Sequence, residues 1–139
     1  MAVHLPIAMM LVWPLVDAVG LVTGRRDVCF VAMALLGLGL VSSLFATVTG
    51  QAAFDAAAAS GVSVDVLETH TSDADLVPWL VVVCLAVRTA GVKKLGRAGH
   101  WAAILLGLAI AVFVGTVGFS GGDLVYDHGV GVRAAEVTP

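Results

Sequence analysis

Long apolar runs alternate with short polar clusters along this chain, and the polar positions gather between the runs instead of recurring within them. A helix that crosses a bilayer needs about 20 predominantly apolar residues. Runs of this kind fall at about 5–22, 28–48, 76–90 and 101–119, the third being the shortest. The pattern predicts an all-α protein, a transmembrane four-helix bundle forming a single domain over 1–139, with extensions beyond the bilayer near 50–75 and 120–132. Within the first extension the stretch AAFDAAAAS is alanine-rich and reads as a helical prolongation of the second run. The opening MAVHLPIAMM has neither a basic segment nor a small-residue cleavage site, so the first run reads as a retained helix.

Composition supports the membrane reading. Hydrophobic residues make up 60% and charged residues 12%, and the mean hydropathy is +1.04, outside the range in which charge keeps a globular surface soluble. The net charge of -3 conceals a polarity. Arg25, Arg26, Arg88, Lys93, Lys94 and Arg97 fall on one side of a hairpin count, whereas Asp55, Asp65, Glu68, Asp73, Asp75, Asp123, Asp127 and Glu136 fall on the other, opposed only by Arg133. The positive-inside rule makes the basic side cytoplasmic, which predicts that both termini are extracytoplasmic. Nucleic acid is excluded as a partner, because the few cations are split between short turns without interleaved aromatics.

Three of the four histidines, His4, His70 and His128, count to the acidic side, and His100 counts to the opposite one. Imidazole is the commonest ligand for haem iron, copper or zinc, and a helical bundle gathers ligands that share a depth. Taken singly, each histidine has a plainer reading. His4 precedes Leu5 and Pro6 at a helix entrance, His70 sits in the polar stretch VLETHTSDADL as a solvated loop residue, and His128 follows Asp123, Tyr126 and Asp127, which are placed to orient an imidazole. Gly121 and Gly122, with Gly50 and Gly118, offer room for a flat macrocycle, although helix ends favour glycine in any case.

Asp17 is the other outlier, since an ionised carboxylate inside a spanning helix is costly and is usually paired or functional. Thirteen residues separate it from His4, which turns it about 220° around the helix and about 20 Å along it, so the two serve different sites. Its expected partner is Arg88 or His100, in a structural ion pair. Cys29 and Cys84 lie at different depths and read as packing residues, and the absence of CxxCH excludes covalent c-type haem. Gly20 with Gly24, Gly39 with Ser43, and Gly115 with Gly118 predict close helix packing. Trp79 and Trp101 read as interface anchors.

HLPIA at 4–8, VTG at 48–50, His70 before the third run and above all GGDLVYDHGVGV at 121–132 resemble the family catalogued as domain of unknown function 2231, which comprises small predicted bacterial membrane proteins of four helices. The resemblance covers essentially the whole chain. It implies that His4, His70 and His128 are motif positions and that His100 is not. It also implies a multi-pass protein of the bacterial inner membrane. The functional expectation is a membrane redox protein that binds haem b through two of His4, His70 and His128, with Asp123, Tyr126, Gly121 and Gly122 around them. It would exchange single electrons with membrane or periplasmic redox proteins. The alternatives are copper or zinc held by the three histidines with Asp123, or a cofactor-free structural subunit of a respiratory or photosynthetic complex. An enzyme is not expected, because no nucleophile and base stand at recognisable spacing.

Overall fold

The computed structural model describes residues 3–131, so Arg133 and Glu136, which contribute to the charge split, lie outside the described residues, as does the last residue of the 121–132 motif. Helix α1 covers His4–Thr23, α2 Arg26–Ala59 and α3 Val64–Ala86. A π-helical turn, Val87–Gly91, then leads through the short α4, Val92–Leu95, into α5, Arg97–Tyr126. No strand occurs among the described residues. The described residues therefore form four helical segments long and apolar enough to cross a membrane, α3 and α4 forming one of them with the π turn.

Breaks between the helices fall where a side chain would be strained. Gly24 ends α1 in the left-handed conformation (φ 70°), donating its N–H to the Gly20 carbonyl, and Gly96 turns the chain into α5 at φ 55°. Both positions favour glycine because it has no Cβ. Pro14 and Pro78 lie inside α1 and α3, and both are buried against the bundle.

The helices are longer than the apolar runs that mark them. At about 1.5 Å per residue, α1 is about 30 Å long, the thickness of a hydrocarbon core, and α2 about 51 Å. Helix α2 continues through VTG and the alanine-rich stretch to Ala59, and α3 begins at Val64, so only residues 60–63 connect them. The solvated loop expected around His70 is thus a helix. Its residues are polar, but Leu67 is buried on one face of it, and a single buried stripe is enough to hold a helix outside the bilayer.

Two apolar cores result. The main one joins Met10, Trp13, Leu36, Val77, Val81, Cys84, Ile110 and Val114 within the bundle. A smaller one, Ala57, Leu67 and Leu124, with Phe54 and Val130 packed against it, closes the prolonged ends of α2, α3 and α5. Large apolar side chains such as Phe30, Phe45, Val112 and Phe119 point outward, as expected of a surface solvated by lipid.

Close packing rests on glycines, though not all of those expected. A Cβ at Gly20 would lie 2.7 Å from the Cys29 sulfur, and Cβ atoms at Gly39 and Gly107 would overlap Met10 and the Trp13 ring. Gly115, expected at an interface, has nothing within 4 Å. One close approach has no counterpart in the expected glycine pairs: a Cβ at Gly99 would overlap the backbone of Gly91, so the π turn and the start of α5 touch main chain to main chain.

Candidate functional site

Asp17 is fully buried in α1. A lone carboxylate there would carry the full cost of desolvation, and the chain meets it with a planar donor fork. Arg88 Nε donates to Oδ2 at 2.6 Å and Nη2 donates to Oδ1 at 2.9 Å. This bidentate geometry is the strongest form of the pair. Arg88 belongs to the π turn, a distortion that redirects side chains from the regular helical path. The backbone contact of Gly91 with Gly99 brings the next residue, His100, to the same carboxylate.

His100 Nε2 lies 2.9 Å from Asp17 Oδ2. It is off the N–H···O line, however, so the ion-pair distance is met without an aligned hydrogen bond, and the buried Nε2 has no hydrogen-bond partner. Cys29, in the first turn of α2, adds its thiol to the cluster. One ligand atom each from Asp17, Cys29 and His100 lie within 4.8 Å of one another, the group of three His, Cys, Asp or Glu side chains close enough for one ion among the described residues. Both cysteines are free thiols. Cys84 is buried in the main core, with its sulfur 3.7 Å from the Ala103 carbonyl.

The opposite, acidic end holds the other three histidines. His4 is exposed at the start of α1. One turn further along, Ile7 reaches the Gly118 position of α5. His70 projects from α3 and is half-buried against α5, where its Nδ1 lies 2.9 Å from Ser120 Oγ. The Ser120 hydroxyl donates to the Val117 carbonyl at 3.0 Å. A Cβ on Gly121 would stand 3.1 Å from His70 Cε1 and 3.6 Å from Nε2, so the ring sits where a side chain at that position would crowd it. Gly122 and Gly50 have nothing within 4 Å.

His128 is exposed just beyond α5, where its backbone N–H is directed at the Asp123 carbonyl at 3.3 Å. It lines, with Asp127 and the small residues Ala53, Ala57 and Gly61, an open groove of about 790 Å³ between the end of α2 and the turn after α5. Tyr126 is 88% exposed. The three histidines share an end of the bundle but do not form a compact three-ligand group.

Sequence reasoning pairs Asp17 with Arg88 or His100, and the structure brings both to it. It does not place Cys29 in that cluster, nor His100 in any candidate ligand set. The one sequence signal for this convergence is the pair Gly91 and Gly99 flanking the turn before His100.

The family model described as a predicted membrane protein, domain of unknown function 2231, matches residues 1–134. No curated protein and no solved structure matches the chain. With nearly its whole length covered by the family model, and helical segments long and apolar enough to cross a membrane among the described residues, the chain belongs to the family of predicted membrane proteins catalogued as domain of unknown function 2231.

Proposed function

We propose that the protein is a membrane redox protein at the acidic end of whose bundle His70, together with His4 or His128, would hold haem b. The observation that carries this reading is the setting of His70. Because the Ser120 hydroxyl directs its proton at the Val117 carbonyl, its lone pair is left to accept from His70 Nδ1. With the hydroxyl so used, Nδ1 carries the proton and the in-plane lone pair of Nε2 is left for a metal, beside the position where Gly121 has no side chain to crowd the ring. A hydroxyl or carbonyl on one imidazole nitrogen is the usual way in which a protein orients the other toward a metal. Bound haem would supply one-electron chemistry, which a pair of histidine ligands suits better than oxygen chemistry. The separation of the three histidines suits two ligands better than a compact three-histidine copper or zinc site.

The positive-inside rule puts this end outside the cytoplasm of a bacterial inner membrane, where membrane or periplasmic redox proteins are the partners. Protein purified in detergent from cells supplied with iron should show a Soret band and a reduced-minus-oxidised difference in the visible region. His70→Ala should lose both, whereas Ser120→Ala should retain haem with a shifted potential. A colourless wild type would favour a structural subunit without cofactor.

A further inference from the structure

We propose that Cys29 and His100 form a second site, at the basic end, for a soft monovalent metal ion, Cu(I). It is independent of the haem reading and shares no residue with it. The His100 side chain is only 9% exposed and its Nε2 is buried without a hydrogen-bond partner. It faces into the group that contains the Cys29 sulfur, whose ligand atoms lie within 4.8 Å of one another. Typical metal–sulfur and metal–nitrogen bonds place two donors about 4.4 Å apart across a two-coordinate ion. Gly20 gives the thiol its place between α1 and α2, since any side chain there would displace it. Cys29 is half-buried in the first turn of α2, so an ion reaches it from the water at that end.

Charge selects the ion. Asp17 is already neutralised by the bidentate Arg88 guanidinium, so that pair adds no net charge to the site. When Cu(I) binds, a sulfur–copper bond replaces the Cys29 S–H bond and the proton leaves to water. One positive charge enters and one departs, with no oxidation or reduction. A divalent ion on the same donors would leave a net positive charge in an apolar interior beside Arg88. Thiolate and imidazole also suit Cu(I), whereas the harder carboxylate remains with the guanidinium.

Anaerobic titration of the detergent-purified full-length protein with Cu(I), buffered by a competing chromogenic chelator, tests this. We expect one ion per chain, one proton released per ion, and protection of Cys29 from maleimide. Cys29→Ser should abolish binding and His100→Ala should weaken it about ten-fold or more, while Cys84→Ser and His70→Ala keep the wild-type affinity. Retention of Cu(I) by Cys29→Ser, its loss in His70→Ala, or Zn(II) binding as tightly as Cu(I) would overturn the proposal. So would an unchanged maleimide rate at Cys29 in Cu(I)-treated wild type, a result that needs no folded variant.

Discussion

The two ends of the bundle treat polar side chains in opposite ways. At the basic end, Asp17 and Arg88 are buried and hold each other through two hydrogen bonds. At the acidic end, His4 and His128 are exposed, and His70 is half-buried with one side-chain partner. A buried charge that loses its partner is left uncompensated, so changes at the basic end should register as stability. An exposed or half-buried imidazole costs little to replace, so changes at the acidic end should register as lost ligand binding with the fold intact.

The largest effect is expected at Asp17. Asp17→Ala strands a buried guanidinium and should destabilise the bundle by about 3–5 kcal/mol, read as a fall in the melting temperature of the detergent-solubilised protein. Asp17→Asn should be milder. Replacing Asp17 and Arg88 together by apolar residues should recover much of the loss, and a double variant no better than Asp17→Ala alone would show that the pair is not what the carboxylate is for.

Next in size come the glycines. Gly99→Ala forces a methyl into the Gly91 backbone and should cost about 1–3 kcal/mol, whereas Gly115→Ala meets open space and should be neutral or slightly stabilising. Equal melting temperatures for the two would contradict the backbone contact between the π turn and α5. Smaller still, Ser120→Ala removes one half-buried hydrogen-bond partner and should cost about 0.5–1.5 kcal/mol.

A topological test should leave stability unaltered. In a background lacking Cys29 and Cys84, a cysteine at Ser63 should react with an impermeant thiol reagent from outside the cell and one at Lys94 should not. The reverse pattern would put the histidine end in the cytoplasm and rule out periplasmic partners.

The spanning helices were legible in the sequence because lipid demands long apolar runs, which Asp17 alone interrupts with a charge in 5–22 and no charged residue interrupts in 101–119. Their ends were not. The polar residues from Asp65 to Asp75 read as a loop, because the stripe that buries Leu67 belongs to a small core assembled from three distant segments. Asp17 announced itself as a charge in an apolar run, and the hairpin count narrowed its partners to Arg88 and His100. The count could not reveal that both would meet it, since that depends on a π turn and on two glycine backbones in contact. Cys29 went unrecognised for a similar reason: a cysteine at a helix start is ordinary in sequence, and only the packing of α1 on α2 at Gly20 turns its sulfur toward the cluster.

The division of labour between the ends is tested most directly by the reduced-minus-oxidised visible spectrum of purified wild type, His70→Ala and His100→Ala, each checked for retained helicity. The account predicts a haem signal in the wild type and in His100→Ala, and none in His70→Ala. A signal that survives in His70→Ala, or that disappears with His100, would contradict it.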